Sequence, residues 1–509
     1  MNRTKNAARN MVFGLLLNIY KIWIPFVVRT VMIWKLGEEY TGLNGLFSSL
    51  LQILNLAELG VGYAMDYSLY LPAAERDERK ICALLNMYRR YYRYIGLFIL
   101  TVGAALTPVL PRLIHGDVPG DINLNVLYLM SLASTVLSYW LFTYKNSLLT
   151  AHQRVDISSK LEIGSKTVQL LLQLYALIVL KNYYFFLAAD IFAKLLLNLM
   201  TGWITARLYP AYVPRGELPA EERNKVNCRV RDLFTSRFAG KVTAEADTVV
   251  ITAFLGLVLL ARYQNYFLIM SAVCLVMEVI FSSVRSGLGN SLILESEEKN
   301  YQQFRIFTFL FLWLLSFTTP CFICLYQPFI RLWLGDKALM PMALVWCLTL
   351  YFFVTEVNRL LNTYKDAAGL WKVDKWRPMT AALVNIILNL LTVRFWGLYG
   401  VVLSTVAAFA GVEIPWLLRN LFRCLFAPCR RGEYVRELLG YGLVVTVSTV
   451  VCGWVSRMIC GHIEGAVLQL LFGAGLCLLL PGLIFAVCFH RKKVFKDSIR
   501  YLRKFCLGK

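Results

Sequence analysis

Apolar residues gather along the chain into long stretches, separated by short polar segments rich in lysine and arginine. Stretches of about 20 residues suffice to cross roughly 30 Å of hydrocarbon. They recur at about 11–33, 43–66, 94–114, 124–149, 163–181, 184–206, 233–257, 263–289, 306–326, 341–364, 378–395, 398–418, 437–460 and 465–489. This pattern predicts an all-α integral membrane protein with fourteen transmembrane helices. The first stretch is too long for a signal-peptide core, carries Lys21 and Arg29 and lacks a small-residue cleavage site, so it reads as a retained helix.

Composition agrees with the pattern. The chain has 509 residues, 58% hydrophobic and 17% charged, where soluble proteins carry about a quarter charged residues. Its net charge of +22 does not point to nucleic acid, because no polar block is long enough to form a solvated basic domain. The charges fall instead in loops. With fourteen spans, 36 of the 53 lysines and arginines lie on the side of the N-terminus. Omitting the weakest span, 233–257, with its Arg237, Lys241, Glu245 and Asp247, would move the basic segments 291–305, 365–377, 419–436 and the tail to the other side. The positive-inside rule therefore keeps that span and predicts two cytoplasmic termini.

A weak repeat lays residues 36–47 over 255–267. It suggests two six-helix lobes with a site between them, 1–210 and 211–425, then a helix pair at 426–489 and a basic cytoplasmic tail at 490–509. Such pseudo-repeats are a transporter architecture. Outer loops are too short to carry an enzyme's reactive residues. The C-x-x-C at Cys321 and Cys324 has no second pair or nearby histidine, and no nucleotide motif occurs. The reading is a non-enzyme without metal or cofactor.

Charges inside spans are costly and by default mark a hydrated path. On the first span Gly14, Asn18, Lys21, Pro25 and Arg29 share an arc of about 80°. The seventh places Arg237, Lys241, Glu245, Thr248 and Thr252 in a similar arc, and the eighth aligns Gln264, Ser271, Glu278, Ser282, Arg285 and Gly289. The second carries Ser48, Gln52, Asn55 and Asp66, with Glu58 at the margin. These stripes predict a cationic cavity. Lys21, Arg29, Arg237, Lys241 and Arg285 are the candidate ligands for an anionic head group, since phosphate recognition needs such donors. Asn18, Gln52, Asn55, Glu245, Ser271, Glu278 and Ser282 are the candidate polar lining. Glu245 and Glu278 could pair with Lys241 and Arg285. Glu58, with no basic residue three or four positions away, and Glu278 are candidates for coupling to H+ or Na+.

The segments RTVMIWKLGEEYTGLNGLFSSLLQILNLAELGVG (29–62) and SLYLPAAERDERKI (68–81) resemble the Wzx-type polysaccharide repeat-unit flippases of the MOP (MATE-like) exporter superfamily. The resemblance implies alternating access, moving an undecaprenyl-diphosphate-linked oligosaccharide from inner to outer leaflet for cell-surface polysaccharide biosynthesis. The implied partners are that glycan, membrane lipids, a glycan polymerase and glycosyltransferases. A lipid II flippase and a MATE-like ion-coupled drug exporter are the alternatives. The family offers no universal catalytic motif, so the site residues rest on the helical faces alone.

Overall fold

A computed structural model describes residues 3–507 apart from 59, 116–117, 372, 461 and 464. Every regular element among the described residues is a helix, as hydrocarbon demands of a chain that must satisfy its own backbone. Packing divides the chain into two compact units, Met1–Gln264 and Asn265–Lys509.

The first unit contains α1 (Arg3–Lys35), α2 (Glu38–Leu54), α3 (Val61–Glu75), α4 (Glu78–Leu106), α5 (Leu110–Leu113), α6 (Leu124–Trp140), α7 (Asn146–Ala151), α8 (Val155–Tyr175), α9 (Tyr183–Leu208), α10 (Ala220–Leu255) and the start of α11 (Leu257–Leu294). Helix starts follow local chemistry. The side chains of Asp77, Asn123 and Asn182 accept backbone N–H bonds at the first turns of α4, α6 and α9, satisfying donors that a helix leaves unpaired. In this unit α1 packs on α8, α4 on α6, α8 on α9, and α10 on α2 and α3. A Cβ at Gly42 would run into the Leu257 carbonyl, and one at Gly45 into the Gln264 amide. These two glycines let α2 approach the start of α11 backbone to backbone, the usual device of membrane helices.

The second unit continues α11 and adds α12 (Glu297–Leu334), α13 (Met342–Ala367), α14 (Arg377–Trp396), α15 (Leu398–Ala408), α16 (Ile414–Cys424), α17 (Arg431–Cys460), α18 (Ala466–Phe489) and α19 (Lys493–Leu507). α12 is its hub, packed by α13, α17, α18 and α19. An aromatic core of Phe304, Tyr364, Phe422, Phe426 and Tyr434 fills one end. Large apolar side chains such as Phe395 and Leu479 remain exposed at 83% and 69%, the surface expected to face lipid rather than water.

Among the described residues, eleven helices are long and apolar enough to cross a membrane, or twelve if α6 and the bent segment Thr143–Ala151 form one span. The chain is a multi-pass membrane protein. Two of the fourteen expected stretches are not among them. Residues 43–66 are broken between α2 and α3, where Asn55–Glu58 form a 3-10 turn and Gly60 takes a φ of +98° that disfavours other residues. Residues 233–257 fall on α10, and the side chains of 233, 235–239 and 244 lie outside the described residues. α10 and the start of α11 belong to the first unit, both packed on α2.

Candidate functional site

The first unit holds a cavity of about 440 Å³ among α1, α2, α6, α8 and α9. Its polar lining comes from five helices. Lys21 projects from α1, Asn44, Ser48 and Gln52 from α2, and Asn55 from the turn that ends it. Ser131 and Thr135 belong to α6, Lys166, Gln169 and Gln173 to α8, and Asp190 and Lys194 to α9.

Pro25 also lines the cavity. Proline lacks the N–H that would bond four residues back, so the Lys21 carbonyl loses its helical donor beside the cavity. The Asn55 side-chain amide oxygen, Oδ1, is buried with no hydrogen-bond partner among the described residues. Buried polar groups are normally satisfied; this one is placed to accept a bond from water or a ligand. Asn44 is held in turn by the Tyr183 hydroxyl at 3.3 Å.

Three lysines and one carboxylate meet here, and they are not equally engaged. Asp190 accepts from Ser134 at 2.7 Å and Gln169 at 2.9 Å, and pairs with Lys194 at 2.8 Å. Lys21 pairs with Glu162 at 3.3 Å while its side chain stays 45% exposed. Lys166 has neither an ion pair nor a hydrogen bond among the described residues and is half-buried. The cavity therefore has donor capacity to spare, in ammonium groups and amides, against one carboxylate that is already satisfied.

Of the residues singled out by helical spacing, Lys21, Pro25, Ser48, Gln52 and Asn55 meet in this cavity. Lys241 reaches its edge by bonding Gln52, and pairs with Glu245 at 3.1 Å. Arg29 is held at the start of α11, donating to the Ala261 carbonyl at 2.9 Å and to the Gln264 amide at 3.4 Å. Asn18 is half-buried on α1 and is not among the lining residues. Glu58 sits at the break after α2 and accepts from Tyr139 at 2.7 Å and Tyr92 at 3.3 Å. The side chains of Arg237, Ser282 and Arg285 lie outside the described residues.

Ser271 and Glu278 belong to the second unit. Ser271 bonds its own helix at Leu268, and Glu278 pairs at 2.6 Å with Arg359, which also holds the buried Glu356 at 3.2 Å. Sequence spacing offered Arg285 as the partner for Glu278; Arg359 on α13 makes a bond to it that local spacing cannot anticipate.

Spacing also passed over half of the cavity. Lys166, Gln169 and Gln173 fall within about 60° on α8, and Asp190 and Lys194 are one turn apart on α9. That stripe was legible. Full charges on other spans drew attention away from a face whose polarity is mostly amide.

No family model and no curated protein matches the chain. Solved structures do. The lipid II flippase MurJ in an inward closed conformation superposes with a TM-score of 0.66 at 14% identity, covering 95% of this chain and 98% of that one. An inward-facing multidrug resistance MATE family transporter of the MOP superfamily gives 0.61 at 15% identity, over 82% and 98%. A MOP superfamily transporter from Pyrococcus furiosus, described as having a binding pocket of reverse polarity, gives 0.51 at 14%, over 82% and 93%. At such identities the likeness is one of architecture: this chain has the helical fold shared by MATE-family transporters and MurJ.

Proposed function

We propose that the chain is a flippase that carries a polyprenyl-diphosphate-linked oligosaccharide from the inner to the outer leaflet by alternating access. The observation that carries this reading is the first-unit cavity, with Lys21, Lys166 and Lys194 facing one satisfied carboxylate, Asp190. An ammonium group is a strong point donor to phosphate. The amides of Asn44, Gln52, Asn55, Gln169 and Gln173 supply the donors and acceptors that sugar hydroxyls need. The membrane potential assists an anion moving outward by about 2.3 kcal/mol per charge per 100 mV. Fourteen spans, two lobes meeting near residue 210 and an appended helix pair belong to the same proposal, as do a bacterial plasma membrane with cytoplasmic termini, and a glycan polymerase and glycosyltransferases as partners.

Lipid II, the substrate named for MurJ, offers a lipid diphosphate to the same groups and is the nearest alternative. Glu58, half-buried and bonded by two tyrosines, favours one further element drawn from ion-coupled exporters, a protonatable or Na+-binding carboxylate. The test is a proteoliposome assay with the purified full chain, comparing an undecaprenyl-diphosphate oligosaccharide, lipid II and a cationic dye. Flipping of the first and its loss in Lys21→Ala support the proposal. Transport of the dye alone would overturn it.

A further inference from the structure

The last described helix has a face that the transport reading does not use. On α19, Lys493, Lys496, Arg500 and Arg503 fall within an arc of about 80°, and all four are exposed. Arg491 and Lys492, just before it, are exposed as well. The acid among them, Asp497, pairs only loosely with Arg500, at 3.8 Å. Across the helix, Ser498 is fully buried, and Phe495 packs on Phe309 and Trp313 of α12 with ring centroids 6.0 and 5.7 Å apart.

Position turns this amphipathic pattern into a binding surface. Three residues separate the end of the span α18 at Phe489 from the start of α19, and three residues reach at most about 10 Å. The Phe495 contacts tie α19 to an apolar spanning helix. The helix is thus anchored at the membrane boundary, with Phe495 and Ser498 packed on protein and its cations left for whatever lies beside it. From Lys493 to Arg503 the basic face runs about 15 Å at 1.5 Å per residue, longer than one phosphate. A nucleic acid or an acidic protein would be met by a solvated domain; a basic helix held at the bilayer edge meets headgroups first.

We infer that α19 is an interfacial site for anionic phospholipid headgroups, bound along Lys493, Lys496, Arg500 and Arg503. The inference does not depend on the transport reading. The test is native mass spectrometry of the purified full chain titrated with phosphatidylglycerol and phosphatidylcholine, for the wild type and the combined variant Lys493→Gln, Lys496→Gln, Arg500→Gln and Arg503→Gln. The wild type is expected to prefer phosphatidylglycerol. With each near-surface charge contributing about 5-fold, or about 1 kcal/mol, the combined variant is expected to lose at least about 10-fold of that preference. A variant with lysine-to-arginine changes at 493 and 496 is expected to keep it. A wild type without preference overturns the inference, as does a monodisperse combined variant that retains it. Should the combined variant not purify, Lys496→Gln and Arg500→Gln are measured singly; an unchanged preference in both has the same consequence.

Discussion

The two units treat charge in different ways. In the first, three lysines and a row of amides border an open cavity of about 440 Å³, and Lys166 and the Asn55 oxygen have no partner among the described residues. In the second, charge closes on itself. Arg377, 2% exposed, holds Asp374 at 2.6 Å, bonds Glu413, and donates to Asn362 at 2.9 Å. Asn420 donates to Asp374 at 2.9 Å and Asn358 to Glu413 at 3.2 Å. This network ties α13, α14 and α16 together. Similar residue types border a cavity in one unit and serve as internal ties in the other: Lys21 and Lys194 keep single pairs and Lys166 none among the described residues, whereas Arg377 is held by three partners.

The sharpest way to break that contrast is to remove the tie. Arg377→Ala leaves Glu413 buried without its cation and Asp374 with only the looser Lys365 pair at 3.7 Å, and breaking a buried pair in this way costs about 3–5 kcal/mol. The expected result is a large fall in apparent melting temperature in detergent, with little monodisperse protein recovered. An unchanged melting curve would mean that the second unit's charges are as dispensable to folding as those of the cavity.

The converse substitution is Lys166→Ala. With no partner to strand, it should shift stability by no more than about 0.5 kcal/mol, as for an ordinary surface change. Losing one charge-assisted bond to substrate, about 1.5–3 kcal/mol, should lower flipping by about 10- to 100-fold. A variant that melts early yet flips normally would place Lys166 with the structural ties. Lys21→Ala should behave in the same way, apart from freeing Glu162.

How far this contrast was legible in the sequence depends on the range of the contacts involved. Spans, basic loops and the α1 stripe are written within a few turns, so Lys21 could be read directly, and eleven of the fourteen expected stretches, or twelve with the bent α6 segment, match candidate spans among the described residues. The break after α2 is local too, at Gly60. Partners drawn from other helices leave no such trace. Glu58 meets tyrosines 34 and 81 positions away, and Asp374 meets Asn420 at 46. Periodicity can show that a polar residue lies on a face; it cannot say whether a neighbouring helix has already satisfied it.

Glu58 tests a case between the two extremes, a carboxylate that is satisfied but only by neutral hydroxyls. In Glu58→Gln the amide oxygen still accepts from Tyr139, so the fold should persist, with a melting shift of about 1 kcal/mol or less for one weakened bond. Any dependence of flipping on a proton or sodium gradient should vanish, while a gradient-independent rate remains. If the dependence survives in the variant, Glu58 belongs with the structural ties and coupling must be sought elsewhere.

The smallest expected effect discriminates most between anionic and cationic substrates. Asp190→Asn keeps one acceptor oxygen, for Gln169, leaves the Ser134 hydroxyl to accept from the new amide N–H, and removes the charge paired with Lys194. Among the described lining residues it deletes the one carboxylate and releases a third ammonium group into the cavity. A site built for a diphosphate should tolerate this, with flipping changed by no more than about 3-fold, because no donor to the phosphate is lost. A site built for a cation would lose its counter-charge, and at about 1.5–3 kcal/mol for a charged bond transport would fall at least about 10-fold. Measured on the same proteoliposomes with both probes, the variant thus separates the readings by the sign of the charge they require. A steep fall with the glycolipid would mean that Asp190 acts on the substrate itself, and that the first unit's open charges are divided between attraction and release.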